Sequence, residues 1–125
     1  MGNSDSGPTV YTATDAAYTT FFTQQCDAFN LVVLANATVP EDKVKYVCSI
    51  ALEYLDNDED GEVDSGFVNE EMKPLSILIF ESRTWGIDAL NQNTEATGKL
   101  NAKRPDQLIL GANDIYVGGN VGFTR

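Results

Sequence analysis

The sequence predicts a single α/β or α+β domain in which a small sheet is covered by two main helices. Two short runs of β-forming aliphatic residues, 31–34 and 75–80, are typical of buried strands. Apolar residues recur at helical spacing over about 15–29 and 39–55. A chain of 125 residues with 42% hydrophobic and 10% aromatic residues is sufficient to build one core.

The first ten residues are small and polar, so we expect a flexible N-terminus and a single domain over 11–125. Whether this domain is part of a longer polypeptide is left open. The first helix is predicted from about 15 to 29, with Thr14 or Asp15 as its cap. Its apolar stripe consists of Tyr18, Phe21, Phe22, Cys26 and Phe29. We expect this stripe to be part of the core.

A second helix, 39–55, follows the strand at 31–34. The segment Thr38-Val39-Pro40-Glu41 has the pattern of a capping box at its start. The helix is apolar on two sides, which is typical of a helix central to a core. One side consists of Val44, Val47, Cys48, Ala51 and Leu55, and the other of Tyr46, Ile50 and Tyr54.

In the second half, a strand at 75–80 is the most hydrophobic run and is too short to cross a membrane. A short helical turn over 66–72 precedes it, and a weak helix over 82–92 follows. We expect a polar loop from Asn91 to Pro105. Two further strands are predicted near 107–111 and 115–117.

The most informative stretch is the acidic loop Asp56-Asn57-Asp58-Glu59-Asp60-Gly61-Glu62-Val63-Asp64. Its aspartates occupy positions 1, 3, 5 and 9 of an EF-hand-type calcium loop, with glycine at position 6. Calcium prefers six to eight oxygen ligands, and alternate residues of a tight loop can all point inward. We therefore predict a Ca²⁺ site formed by the side chains of Asp56, Asp58, Asp60 and Asp64 and by the backbone carbonyl of Glu62. Val63 is expected to anchor the loop on the core.

The loop departs from the EF-hand pattern at position 12, where Phe67 replaces the bidentate glutamate. An acidic surface turn without a specific ligand is the alternative. Nine of the 19 acidic residues lie between Glu53 and Glu71, and no lysine or arginine interrupts them. This concentration of charge favours a cation site.

Net charge and residue types exclude several functions. The net charge of −11 disfavours nucleic acids and anionic membranes as partners. The chain contains no histidine, which excludes histidine-based zinc sites and Ser-His or Cys-His nucleophiles. We predict no catalytic residues.

Cys26 and Cys48 are the only cysteines. Because both lie on predicted inner faces, they are expected either to form a disulfide between the two helices or to remain as two buried thiols. Separately, Asn36-Ala37-Thr38 is an N-glycosylation sequon, which has meaning only in a eukaryotic secretory pathway. Asn36 is thus a candidate glycosylation site.

The segment Tyr54–Asp64, with the preceding strand and helix and the following Ile77-Leu78-Ile79-Phe80, resembles an uncharacterised family of secreted proteins. The resemblance covers roughly residues 28–82. Longer members of that family continue into a glutamate-rich helix with a histidine, which suggests a zincin-like metallopeptidase. This chain has no histidine, so the resemblance transfers no catalytic residue to it.

The predicted function is that of an extracellular calcium-binding structural or protein-interaction module. Its partners would be the calcium ion and other protein chains, through self-assembly or in a larger complex. Two alternatives belong to other classes. One is the non-catalytic portion of a secreted hydrolase, and the other is an intracellular EF-hand-type sensor in the cytoplasm.

Overall fold

The structure is a computed structural model that describes residues 8–56 and 62–115. In these residues the fold is α+β, with a five-stranded mixed sheet in the order β1-β2-β3-β4-β5 and four α-helices. The elements are β1 (Tyr11–Thr12), β2 (Gln24–Ala28), β3 (Leu31–Ala35), α1 (Glu41–Leu55), α2 (Gly66–Glu71), β4 (Leu75–Phe80), α3 (Arg83–Gln92), α4 (Thr94–Lys103) and β5 (Asp106–Gly111), followed by a short 3₁₀ turn, Ala112–Asp114.

The sheet combines an antiparallel and a parallel half. Strands β1, β2 and β3 pair antiparallel, whereas β3, β4 and β5 pair parallel. Side chains of β3 and β4 are buried on both faces, which explains why β3 is a continuous apolar run and β4 an apolar run interrupted only by the buried Ser76. The predicted strands at 31–34, 75–80 and 107–111 are therefore confirmed.

Helices cover both faces of this sheet. Helix α1 packs on the face that carries Val33 and Ile77. The opposite face, with Leu34 and Leu78, is covered by Leu90 of α3, Leu100 of α4 and the segment around Tyr18 and Phe22. Strand order advances in one direction from β3 to β5, yet the two connecting helical segments lie on opposite faces. The two crossovers therefore have opposite hands, and one of them has the rare left-handed form.

The predicted helix over 39–55 is confirmed as α1, but the capping box is wrong. Pro40 occupies the N-cap position, and no side chain caps the helix. Proline lacks an N–H and has a fixed φ, so it can start a helix without a capping hydroxyl. The short helical segment and the weak helix of the second half are confirmed as α2 and α3.

The predicted helix over 15–29 is wrong. Residues 16–21 form turns, in which the Phe22 N–H donates to the Tyr18 carbonyl, and the chain then enters β2. Cys26 and Ala28 are buried whereas Asp27 between them is exposed, which is the period of a strand. Pairing with both β1 and β3 stabilises β2, and this long-range contribution outweighs the helical spacing of the aromatic residues.

Two further predictions need correction. The stretch 91–105 contains helix α4, which buries Ala96 and Leu100 one turn apart, and Asn93 caps it by accepting from the Ala96 N–H. A single buried stripe in a polar helix is a weak sequence signal. The strand predicted over 115–117 is absent at Ile115, and residues 116–117 lie outside the described residues.

Arg104, directly after α4, connects three parts of the fold. Its Nη1 donates to the carbonyls of Asn30 (2.7 Å), Leu75 (2.9 Å) and Met72 (3.1 Å). Asn30 follows Phe29, whose positive φ of 55° is strained for an aromatic residue. Arg104 therefore holds the β2–β3 turn against the end of α2 and the start of β4.

Candidate functional site

Helix α1 delivers the chain to the first position of the acidic loop. Asp56 directly follows the helix, and its N–H donates to the Leu52 carbonyl at 2.7 Å. Asp56 is only 7% exposed, and burial to this extent is rare for an aspartate. The N–H of Asp64 then donates to the Leu55 carbonyl at 2.7 Å. This hydrogen bond joins the ninth position of the loop to the residue that directly precedes the first position.

The segment after the loop is fixed by the core and by a cap. Val63 is partly buried against the core on the α1 face of the sheet, as the sequence predicts. The Ser65 hydroxyl accepts from the Val68 N–H and so starts α2. Asn69 of α2 accepts from the N–H of Asn30 and, through its carbonyl, from the Asn30 side chain, both at 2.9 Å. The loop is thus flanked by two anchored helices, in the order helix–loop–helix.

Three of the five predicted metal ligands lie in the described part of the chain. Asp56 is buried, whereas Glu62 and Asp64 are exposed, and each of the three makes interactions beyond those given above. Asp58 and Asp60 lie outside the described residues. Within 8–56 and 62–115, no group of three or more His, Cys, Asp or Glu side chains is arranged to hold a metal ion. Coordination by all five residues therefore stays a prediction, and the oxygen donors present are of the type that calcium prefers.

Position 12 of the loop falls in the first turn of α2. Phe67 is 73% exposed there, so its ring contributes little to the core. Tyr54, near the end of α1, is 65% exposed. Large exposed aromatic side chains are enriched at protein interfaces. The loop is therefore bordered on both sides by exposed aromatic rings.

The sequence and the structure were compared with protein families, curated proteins and solved structures. No family model, curated protein or solved structure matches this chain. The assignment of function therefore depends on the chemistry of the residues themselves.

The two cysteines form a disulfide that joins β2 to α1. Cys26 and Cys48 are fully buried, and their Cα atoms are 6.3 Å apart. Of the two alternatives that the sequence leaves open, the structure has the disulfide, and Cys26 belongs to a strand rather than to the predicted helix. The bond fixes the helix that carries Asp56 onto the β2–β3 hairpin.

The glycosylation candidate Asn36 lies at the carboxyl end of β3. Its Nδ2 donates to the Phe21 carbonyl, and its Oδ1 is buried without a partner in the described residues. A glycan on Nδ2 would replace an internal hydrogen bond. Glycosylation of Asn36 stays a prediction that the mass of native protein would test.

A second group of ionisable side chains lies on the α4 face of the sheet, beside β1 and β2. Lys103 forms an ion pair with Asp15 at 2.6 Å. The hydrogen bond from Lys103 lowers the pKa of the Asp15 carboxyl. Tyr11 donates its hydroxyl to Asp27, and desolvation together with this hydrogen bond raises the pKa of Tyr11 to about 12.

Sequence patterns did not identify this second group. Tyr11, Asp27 and Arg104 come from three separate segments of the sequence. Tyr11 is assigned to no helix or strand, Asp27 falls in the helix predicted over 15–29, and Arg104 falls in the polar loop predicted over 91–105. The alternation of Gln25 and Asp27 around buried Cys26 is the signal that would have placed both polar side chains on one face of a strand.

Across the parts of the chain that the structure describes, no helix combines the length and the apolar character needed to cross a membrane.

Proposed function

We propose that the protein is an extracellular calcium-binding module with a structural or protein-interaction role, in which the ion stabilises loop 56–64. The observation that carries the proposal is the hydrogen bond from the Asp64 N–H to the Leu55 carbonyl, since it closes a loop whose aspartates have calcium-ligand spacing. The helix–loop–helix order of α1 and α2 gives further support.

The chemistry of the loop explains how the ion would act. Side chains of Asp56, Asp58, Asp60 and Asp64 would hold the ion, together with the Glu62 carbonyl. A divalent cation supplies charge that offsets the repulsion between these carboxylates. The ion would add to the interactions that Asp56 already makes in its buried position.

The missing glutamate at position 12 favours a structural role over signalling. Loss of a bidentate ligand removes two oxygens, so we expect a dissociation constant of about 10⁻⁴–10⁻³ M, the range of extracellular modules. With free calcium tenfold above that constant, linkage contributes about 1.4 kcal/mol of stability. The Cys26–Cys48 disulfide is compatible with an extracellular location.

An interaction role is supported by the aromatic rings beside the loop. Tyr54 and Phe67 are mostly exposed, although apolar rings of this size usually contribute to cores or interfaces. Another protein chain, including a second copy, is the proposed partner of this surface.

The first test of the proposal is the removal of two ligands. Asp58→Ala plus Asp60→Ala is expected to abolish stoichiometric calcium binding in calorimetry, because both side chains occupy ligand positions. The control is Asn57→Ala plus Glu59→Ala, which changes two residues of the same loop at positions that should face solvent and removes one negative charge, whereas the ligand variant removes two. If the control weakens binding as much as the ligand variant does, only the general acidity of the loop attracts the ion.

The second test restores the missing ligand. Phe67→Glu is expected to strengthen calcium binding by about tenfold or more, because position 12 supplies two oxygens in EF-hand loops. Phe67 is mostly exposed, so the substitution removes little core packing. Phe67→Gln is the control, since it matches the size of glutamate but lacks the charge and the second carboxylate oxygen. Equal affinities of the two variants in calorimetry would show that position 12 does not approach the ion.

A further inference from the structure

A polar pocket of about 370 Å³ lies on the α4 face of the sheet. None of the residues that line it belongs to the acidic loop Asp56–Asp64. Its walls come from β1 and β2, from the turn at 14–18, from the β2–β3 turn and from the end of α4. Tyr11 and Gln25 are paired in the sheet register, and Asp27 lies two residues further along β2. All three side chains therefore project on the same face, opposite to buried Cys26. This volume is sufficient for a small organic ligand.

The pocket contains a fixed positive charge. Arg104 donates through Nη1 to three backbone carbonyls and through Nε to the Tyr18 hydroxyl at 3.2 Å. These are neutral acceptors. Within 8–56 and 62–115, Arg104 forms no ion pair with a carboxylate, and its hydrogen bonds use Nε and Nη1 but not Nη2. The Asp15 carboxylate also lines this pocket, and the charge of Arg104 contributes to lowering the pKa of Asp15. A planar guanidinium that is already held in place loses little side-chain entropy when a ligand binds to its remaining nitrogen.

The pocket also contains a fixed negative charge. Asp27 accepts from the Tyr11 hydroxyl at 2.5 Å and from the Gln25 amide at 3.0 Å, and both donors are neutral. The nearby ammonium group of Lys103 is already paired with Asp15. Among the described residues, no cation forms an ion pair with Asp27.

Asp27 and Arg104 therefore line one pocket with opposite charges, yet they are not paired with each other. A ligand that carries both charges would satisfy both groups, since charge-assisted hydrogen bonds are stronger than neutral ones. We propose that this pocket binds a small zwitterion of the α-amino acid class. Its carboxylate binds Arg104, and its ammonium group binds Asp27.

The experiment compares ligands that differ in one charge. L-Alanine is expected to bind in calorimetry or in NMR titration of the full chain. N-acetyl-L-alanine lacks the ammonium group and L-alanine methyl ester lacks the carboxylate, so each is expected to bind about tenfold or more weakly. If either analogue binds as well as L-alanine, or if L-alanine and the larger L-leucine and L-phenylalanine all fail to bind, the proposal is wrong.

A substitution assigns the binding to this pocket. Asp27→Asn keeps the shape and one of the two acceptor oxygens but removes the charge. It is expected to weaken the binding of L-alanine about tenfold and to leave the binding of N-acetyl-L-alanine unchanged. Asp88→Asn, on the exposed face of α3, is the matched control and should bind L-alanine as the parent protein does. Arg104 is less suitable for this test, because its replacement also removes the hydrogen-bond donor of three backbone carbonyls and would destabilise the fold. Equal loss in the two variants would mean that only net charge matters, which would overturn the assignment.

Discussion

Gly86→Ala is expected to destabilise the protein by about 2 kcal/mol, whereas Gly98→Ala is expected to stabilise it by up to about 1 kcal/mol. Both glycines lie in ten-residue helices, α3 and α4. A Cβ at Gly86 would lie 2.9 Å from the Cβ of Phe80 and even closer to its ring, whereas a Cβ at Gly98 meets nothing within 4 Å. Since both variants reduce the entropy of the unfolded chain equally, the difference of about 3 kcal/mol measures the clash alone.

Phe80 cannot move aside easily. Its ring is fully buried and contacts the rings of Phe22 (5.4 Å between centroids), Trp85 (5.7 Å) and Phe21 (6.4 Å). The close approach of α3 to β4 therefore depends on a residue without a side chain at position 86.

Urea denaturation of the two variants tests this explanation. The loss in Gly86→Ala should shrink when Phe80 is also replaced by leucine, because the two positions are in contact and their effects are not additive. If Gly86→Ala is as stable as Gly98→Ala, the helix does not approach the strand as closely as the structure shows.

Sequence patterns predict the central strands and helix well because the apolar residues that these elements bury are close together in sequence. Strands β3 and β4 are covered on both faces, so all of their residues except Ser76 are apolar and no periodicity has to be interpreted. Helix α1 presents a full apolar stripe over four turns, and this repetition makes the pattern reliable.

The elements that sequence analysis misplaced are those whose structure depends on distant partners. In the stretch 15–29, aromatic residues at helical spacing are compatible with a helix, but pairing of β2 with β1 and β3 determines the outcome. The buried stripe of α4 consists of Ala96 and Leu100 alone, and its cap at Asn93 is a single polar residue within a polar region. Such short signals are also common in loops.

The two candidate sites also differ in whether their residues are close together in sequence. The acidic loop is contiguous in sequence, so the spacing of its ligands could be recognised directly. The pocket of Asp27 and Arg104 forms only when β1, the hairpin turn and the end of α4 come together. The alternation around Cys26 is the only sequence signal for Asp27, and no neighbour of Arg104 in sequence indicates its role.

Removal of the Cys26–Cys48 disulfide is expected to lower the free energy of unfolding by about 3 kcal/mol. The cross-link joins residues 22 apart, and in the chain-entropy model a loop of this length restricts the unfolded state by about that amount. For a domain of this size, the loss corresponds to a decrease of roughly 10 °C in Tm. This makes the bond a large fraction of a typical total stability of about 5–15 kcal/mol.

Two forms of the protein distinguish the stabilisation by the cross-link from the stabilisation by packing of the sulfur atoms. Reduction of the wild-type protein breaks the bond but keeps both sulfur atoms, whereas Cys26→Ala plus Cys48→Ala also removes the sulfur atoms from a fully buried site. The expected order of stability in denaturant is therefore oxidised protein, reduced protein and double alanine variant. Equal midpoints for the oxidised and reduced protein would contradict a cross-link between β2 and α1.

The same denaturation measurements with and without calcium show whether stabilisation by the disulfide and stabilisation by calcium are coupled. Cys48 lies two turns before the start of the loop at Asp56, and the disulfide fixes the part of α1 that packs on the sheet. The end of the helix is fixed separately, by burial of Leu55 and by the hydrogen bond from the Asp64 N–H. The stabilisation by calcium should therefore change by less than about 0.5 kcal/mol when the disulfide is reduced, as expected for independent sites. A larger change would mean that the disulfide positions the loop for the ion.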